Sequence, residues 1–164
     1  MSVDDISVLM NEDPFPAMHP TGDPVATAEA FAAEQSAAGY VLDFSLASLE
    51  IVVDRLIELP MCRHGCEGQP SEAEERTQSA IGAYIGETLR RLFEGEWVGA
   101  FHPASTALNF YRSFVMFGDY RFSPHLFIAY RFSNGACEGS FQAYLRRALP
   151  RITARSADGD ALLE

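Results

Sequence analysis

SEAEERTQSAIGAYIGETLRRLFE, residues 71–94, has the pattern of one long helix. Ser71, followed three residues later by Glu74, forms a capping box in which each side chain satisfies a backbone N–H at the helix start. Apolar residues then recur every three or four positions: Ile81, Tyr84, Ile85, Leu89, Leu92 and Phe93. A neighbouring stripe holds residues small enough for another backbone to approach closely: Ser79, Gly82, Ala83 and Gly86. Because a helix with two such stripes packs on two sides, we expect it to be central.

Two further helices are predicted before this one. Asp23 is a suitable N-cap with Pro24 in the first helical position, and Gly39 ends the pattern. Ser45 caps a second helix, which ends before Pro60. The remaining upstream segments are predicted to be a loose lead-in over residues 1–22 and a turn-rich linker over residues 60–70.

Extended segments dominate the prediction after the central helix. They are Trp97–Phe101, residues 106–117, Tyr120–Phe122 and His125–Phe132, with turns at Gly118-Asp119 and Asn134-Gly135. A last helix is expected from Ser140 to Pro150. This order predicts an α+β fold in which helices pack on a three- to four-stranded antiparallel sheet, with a C-terminal helix. The single domain spans residues 23–150, and residues 151–164 form a flexible tail.

Length and residue usage exclude several functional classes. The 164 residues suit one domain with a real core. All 12 basic residues are arginine, which excludes Schiff-base lysines and the lysines of P-loop and kinase sites. The sequence contains no GxGxxG motif of a dinucleotide site. It also contains no nucleophile elbow, H-E-x-x-H motif or recognisable carboxylate pair that would indicate catalysis.

Charge and cysteine content bear on partners and location. The net charge of −11 argues against nucleic acid as a partner. Residues 1–75 hold 15 acidic residues against two arginines, a net charge of −13, whereas residues 76–164 hold eight against ten, a net charge of +2. An acidic half either attracts a basic partner or keeps the protein soluble. The acidic N-terminus, the lack of a membrane-spanning stretch and the odd number of cysteines (three) favour the cytoplasm.

One cluster has the composition of a metal site. Cys62, His64 and Cys66 lie in the predicted linker, and thiolate and imidazole are good zinc ligands. Their spacing is not that of a paired zinc knuckle, and a fourth ligand would have to come from His102 or Cys137. The alternative is a surface loop with free thiols.

A second candidate site lies at the predicted helix–sheet junction. Glu87 precedes Arg90 and Arg91 at salt-bridge spacing. With Tyr84 nearby, its carboxylate either lines a pocket or is a solvated surface charge. Three arginines in the strand region either form a basic patch for a carboxylate or phosphate or fringe the sheet against edge pairing: Arg112, Arg121 and Arg131. The candidate binding residues are Tyr84, Glu87, Arg91, Arg112 and Arg131.

The strand region contains more aromatic residues than one face of three short strands can cover. Some must meet a helix layer, and the remainder predict contact with a protein partner or with a second copy of the chain in a homodimer.

Four motifs together resemble a known pattern: Leu42-Asp43-Phe44-Ser45 with Ser48-Leu49, the G-x-Y-x-G-E segment Gly82–Glu87, Trp97, and Tyr130–Gly135. They are similar to those of small uncharacterised bacterial proteins, classed as domains of unknown function, in which a G-x-Y-x-G-E helix precedes a tryptophan strand. The resemblance covers about residues 40–150 and implies the α+β order, but no activity. Some similar small acidic α+β proteins serve as toxin-immunity partners.

Three functional hypotheses follow. The first is a cytoplasmic, non-catalytic protein-interaction module with an acidic helical half, of which an immunity protein is one form. The second is a small metal-dependent or cysteine hydrolase that uses Cys62, His64 and Cys66. The third is a small-ligand binder at the helix–sheet junction.

Overall fold

The computed structural model describes residues 22–53, 70–128 and 147–153. Its named elements are α1 (Pro24–Ala37), α2 (Leu46–Ile51), α3 (Glu72–Leu92), β1 (Glu96–Gly99), α4 (Thr106–Arg112), β2 (Ser113–Phe117) and β3 (Tyr120–Phe122). Residues 124–128 and 147–153 are also helical. The chain therefore has the predicted α+β architecture, with helices, an antiparallel sheet and a helical segment near its C-terminal end.

The predicted central helix is confirmed as α3. Both halves of its capping box form: Ser71 N–H donates to Glu74 Oε2 (2.7 Å) and Glu74 N–H donates to Ser71 Oγ (3.3 Å). Every residue from 81 to 89 is buried, and α1, α2, α4 and β2 all contact this helix. Because α3 is covered on several sides, its small and polar residues in this stretch are buried along with its apolar stripe.

The two upstream helix starts are confirmed by their caps. Asp23 Oδ1 accepts from Val25 N–H (2.8 Å), with Pro24 in the first turn, and Ser45 Oγ accepts from Ser48 N–H (3.1 Å). Gly39 follows α1 with a φ of 92°, in the left-handed region that glycine tolerates best.

The sheet has three antiparallel strands in the order β1-β2-β3. Val115 lies opposite Trp97 on one side and Phe122 on the other. Alternate residues of β2 are buried, as expected of a strand with one face on a helix layer. The predicted turn at Gly118-Asp119 joins β2 to β3.

The prediction of extended chain over residues 106–117 is wrong for its first half, because Thr106–Arg112 is α4. Ser105 Oγ accepts from Leu108 N–H (3.5 Å), and the helix buries Thr106 and Asn109. The β-forming aromatics favoured a strand, but a capping serine and an inward polar residue at helical spacing outweigh that propensity.

The predicted strand His125–Phe132 is also wrong where the structure describes it, because residues 124–128 are helical. Ser123 Oγ accepts from Leu126 N–H (3.3 Å) and Pro124 opens the turn. Serine followed by proline is a helix start, which the alternation of apolar residues concealed.

The C-terminal boundary differs from the prediction as well. The last described helix runs through Pro150 to residue 153, and Ile152 is buried in the core. Residues 151–153 thus continue the described helix, and the rest of the predicted tail, residues 154–164, lies outside the described residues. The predicted linker, the Asn134-Gly135 turn and the Ser140 helix start lie outside the described residues.

Most aromatic side chains of the sheet region enter the core instead of remaining on the surface. Phe101, Phe117, Phe122 and Phe127 are all buried. Trp97 and Tyr120 are half-buried and pack against the core, Phe110 and Phe114 are half-buried, and Tyr111 has 73% of its surface exposed. The prediction of a protein partner or homodimer from these aromatics stays a prediction.

Candidate functional site

A fully buried carboxylate lies on the last turns of α3. Glu87 has no exposed surface, although the sequence predicted either a pocket-lining or a solvated side chain. The preceding residue, Gly86, has no side chain, and a Cβ atom there would collide with the Trp97 ring and crowd Pro124. The Trp97 indole can therefore lie against α3 and reach the carboxylate.

Four hydrogen bonds converge on this carboxylate. Arg90 donates from Nε to Oε2 (2.7 Å) and from Nη2 to Oε1 (2.8 Å). Arg91 donates from Nε to Oε1 (2.6 Å), and Trp97 donates from Nε1 to Oε2 (3.0 Å). A buried charge is tolerated only when it is paired and hydrogen-bonded in this way.

The partners decide the charge state of Glu87. Burial alone would raise its pKa, but the hydrogen bonds from Arg90, Arg91 and Trp97 together outweigh burial, and the pKa lies below its usual value of 4.5. The hydrogen bond with Glu87 raises the pKa of Arg90 in return. Glu87 is consequently an anion at neutral pH.

Arg91 extends this network to the surface. Its Nη2 donates to Glu29 of α1 (2.8 Å), and its guanidinium carbon lies 3.9 Å from the centre of the Phe44 ring. One arginine thus joins the buried carboxylate of α3 to α1 and to the turn that precedes α2.

Phe44 is held in an unusual backbone conformation by the same group of residues. Its φ is 59°, a region that bulky residues rarely occupy. Its N–H donates to the Tyr84 hydroxyl (3.0 Å), and its ring lies 4.8 Å from the Tyr84 ring. Tyr84 also shares a 2.6 Å hydrogen bond with Ser48 of α2.

A second buried polar network surrounds His125. Its Nε2 lies 3.2 Å from the Ser79 carbonyl oxygen and its Nδ1 lies 3.4 Å from Ser113 Oγ. Because a carbonyl oxygen only accepts, the neutral ring carries its proton on Nε2. Burial lowers the pKa of His125 to about 4, and the Ser79 carbonyl offsets only part of that effect. The ring packs on Gly82, where any side chain would collide with it.

Asn109 joins this histidine network to the chain after β1. Its Nδ2 donates to Ser79 Oγ and to the His102 carbonyl (both 2.8 Å), and its Oδ1 accepts from His102 N–H (2.6 Å). His102 Nδ1 accepts from Ala104 N–H (3.2 Å). These amide and imidazole groups fix α4 against α3 and β1.

Neither network has the arrangement of a catalytic site. The lone pairs of Glu87 are occupied by donors from its own chain, so accepting a substrate proton would require breaking ion pairs. His125 is neutral and shielded from solvent. Among the described residues, no group of three or more His, Cys, Asp or Glu side chains is arranged to hold a metal ion.

The structure brings together three of the five candidate binding residues. Tyr84, Glu87 and Arg91 belong to one network through Phe44. Arg112 lies elsewhere, at the end of helix α4 and not on a strand, where its carbonyl oxygen accepts from Ala100 N–H. Arg131 and the zinc candidates Cys62, His64 and Cys66 lie outside the described residues, so the metal site stays a prediction.

Several members of these networks were missed at the sequence level. Trp97, Glu29 and Phe44 lie far from Glu87 along the chain or on other elements, and no local pattern links them. A usable signal was the glycine at position 86 beside a glutamate with arginines three and four residues later. Arg121, considered for a basic patch, stacks over the Phe114 ring at 3.2 Å from its centre.

Charge is distributed unevenly over the described surface. Residues 22–53, hereafter the acidic segment, contain five carboxylates and no lysine or arginine. All five are exposed: Asp23, Glu29, Glu34, Asp43 and Glu50. Across the helices that the structure describes, none is both long enough and apolar enough to cross a membrane.

One of the four motifs that carry the family resemblance, the segment Gly82–Glu87, is wholly buried in α3. Gly82 and Gly86 receive the rings of His125 and Trp97, while Tyr84 and Glu87 reach polar partners. Comparisons with protein-family models, curated proteins and solved structures find no match to this chain. The resemblance to domain-of-unknown-function proteins therefore stays a prediction.

Proposed function

We propose that this protein is a non-catalytic interaction module whose acidic segment binds a basic protein partner. The proposal is carried by one observation: residues 22–53 contain five exposed carboxylates and no basic residue, and although Glu29 is paired with Arg91 of α3, the other four leave the segment negatively charged. A surface of one sign attracts partners of the opposite sign and speeds their association. An immunity protein that masks a basic toxin is one form of this function.

The buried networks favour binding of a protein partner over binding of a small ligand at the helix–sheet junction. The polar atoms of Tyr84 and Glu87 are already engaged by Ser48, Phe44, Arg90, Arg91 and Trp97. A small ligand would have to displace these partners. Their arrangement instead holds α1, α2 and β1 on α3, which keeps the acidic segment in a defined shape.

The test is capture of partners by tagged protein from lysate of its own cells, at about 100 mM and about 500 mM NaCl, where screening differs strongly. We expect a near-stoichiometric protein with a basic isoelectric point, released at high salt. A matched bait carries Glu34→Gln and Glu50→Gln, two exposed positions of the acidic segment, and should retain less of it. Absence of any such protein at either salt concentration would contradict the proposal.

A further inference from the structure

The turn between α1 and α2 presents apolar side chains to solvent. Val41 is 69% exposed and Leu46 is 43% exposed, two of the six large apolar side chains that are exposed in the described part of the chain. They lie within six residues of each other, on either side of Phe44. Both therefore belong to one six-residue stretch of chain, 41–46, and a partner that covers this stretch removes both side chains from water.

This turn is held rigidly from beneath. Tyr84 accepts the N–H of Phe44, whose backbone is left-handed, and the Phe44 ring contacts both the Tyr84 ring and the Arg91 guanidinium. Arg91 is itself fixed by Glu87 and Glu29. A surface that is already ordered loses less conformational entropy when a partner binds.

The charge around the turn favours a cationic partner over the chain's own N-terminus. Asp43 is exposed and accepts Ser45 N–H at one oxygen (3.1 Å). The cation that contacts the turn, Arg91 on the Phe44 ring, is already paired with Glu87 and Glu29, and the acidic segment itself contains no base. Residues 1–21 contain four acidic residues and no lysine or arginine. The acidic turn therefore repels residues 1–21, whereas it attracts a basic protein.

We infer that the turn Val41–Leu46 is the contact point for the basic partner. An aliphatic or aromatic side chain of the partner packs on Val41 and Leu46, while a neighbouring arginine or lysine pairs with Asp43. This inference rests on the proposed function and adds the position and chemistry of its contact.

The experiment places a photoreactive residue, p-benzoylphenylalanine, at position 41 of the full-length protein in its own cells. A matched protein carries it at position 98, where Val98 is 43% exposed on β1. We expect position 41 to cross-link to a basic protein, at a residue beside an arginine or lysine, and position 98 not to do so. The cross-linked peptides are identified by mass spectrometry.

Affinity for that protein, once purified, provides the second measurement. Val41→Ser with Leu46→Ser should weaken binding about tenfold, whereas Val98→Ser with Leu126→Ser, which makes the same two residue changes at exposed positions elsewhere (43% and 45% exposed), should change it less than about twofold. Circular dichroism and the unfolding midpoint confirm that both variants are folded.

Each result separates the two proposals. A basic partner that cross-links only from position 98, or that binds both double variants equally, overturns the turn as its contact and leaves the proposed function standing. Cross-links from position 41 to residues 1–21 or to a second copy also overturn it. If no salt-sensitive basic partner exists, the proposed function fails and this inference fails with it.

Discussion

At the scale of single residues, Glu87 shows how a charge is kept inside a small domain. Its carboxylate has no exposed surface, whereas Arg90 and Arg91 keep about a third of their side chains in water (33% and 35%). The arginines thus neutralise the buried anion while their own desolvation is partial. Because Glu87 is the fully buried member, we expect substitution of Glu87 to affect stability more than substitution of either arginine.

We predict that Glu87→Gln destabilises the protein by about 2 kcal/mol, because it removes the charge while keeping the shape. This loss of stability is smaller than the loss expected when a fully buried ion pair is broken, because the guanidinium groups of Arg90 and Arg91 are partly exposed to water. The measurement is the free energy of unfolding in urea.

Glu72→Gln is the matched control. It changes a glutamate of the same helix that also pairs with an arginine, Arg76 (2.7 Å), but with both side chains largely exposed. We expect no measurable change in its unfolding midpoint. Equal effects of the two substitutions would show that burial of Glu87 contributes nothing.

The low pKa of Glu87 also has a pH dependence with a defined sign. Its stabilising effect is present above the usual glutamate pKa of 4.5, which applies to the unfolded chain, and is lost as the pH falls through the lower folded value. The difference in free energy between the parent and Glu87→Gln should therefore shrink below about pH 4.

His125 gives a second acid-sensitive contribution in a higher window. Above pH 6.5 the imidazole is neutral in both the folded and the unfolded chain. Between pH 6.5 and about 4, the imidazole is protonated in the unfolded chain but stays neutral in the folded chain. Stability therefore falls as the pH drops from 6.5 to 4, by roughly 3 kcal/mol at the lower end. The measurement is a series of urea titrations across this range, in which His125→Gln should give a flatter profile.

A direct observation protects this prediction if His125→Gln fails to fold. Nitrogen-15 NMR of the parent protein at about pH 5.5 should show a neutral imidazole with its proton on Nε2. A positively charged ring at that pH would contradict the effect of burial on its pKa.

At the scale of elements, the small-residue stripe of α3 proves to receive rings. Gly82 meets the imidazole of His125, and Gly86 meets the indole of Trp97 and the ring of Pro124. The sequence correctly predicted a close approach there, and the approaching groups are side chains instead of another helix backbone. Glycine is required because a methyl group would occupy the volume of a buried ring.

We predict that Gly82→Ala and Gly86→Ala each lower the free energy of unfolding by about 1–3 kcal/mol. Alanine is intrinsically the better helix former by about 1 kcal/mol, but overpacking of a buried ring costs more. Thr77→Ala, on the exposed face of the same helix, serves as the control and should be neutral or slightly stabilising. A gain in stability at either glycine would mean that the neighbouring ring shifts at little cost. Urea unfolding monitored by circular dichroism measures all three.

The two misassigned segments fail for a common reason. Thr106–Arg112 and residues 124–128 have β-forming or alternating composition, yet each is preceded by a serine whose hydroxyl caps a helical turn. What secures the first is Asn109, which binds Ser79 and His102 from distant parts of the chain. Propensity in a short window does not include such contacts.

At the scale of the whole molecule, the net charge of −11 opposes compaction. We predict that raising NaCl from about 20 to about 300 mM increases the melting temperature by a few degrees, because screening weakens repulsion within the acidic segment. Glu34→Gln with Glu50→Gln should reduce this increment. A fall in melting temperature with salt would instead indicate that the Glu87 ion pairs dominate. Differential scanning calorimetry provides the measurement.

The zinc hypothesis is tested on the same intact protein. Elemental analysis after dialysis against a weak chelator should find about one zinc per chain if Cys62, His64 and Cys66 hold it, and none from Cys62→Ser with Cys66→Ser. A metal-free parent protein would remove the hydrolase alternative that depends on these residues.

The sequence by itself determined the helix starts at Asp23, Ser45 and Ser71, the turn at Gly118-Asp119 and the central position of α3, because caps, turn residues and apolar periodicity act over a few neighbouring residues. Only the tertiary structure decided that Glu87 and His125 are buried and that residues 106–112 and 124–128 are helical. Those outcomes depend on hydrogen bonds and ring packing between residues distant in the chain. The free energy of burying a polar group depends on which partners arrive, and the local sequence does not specify them.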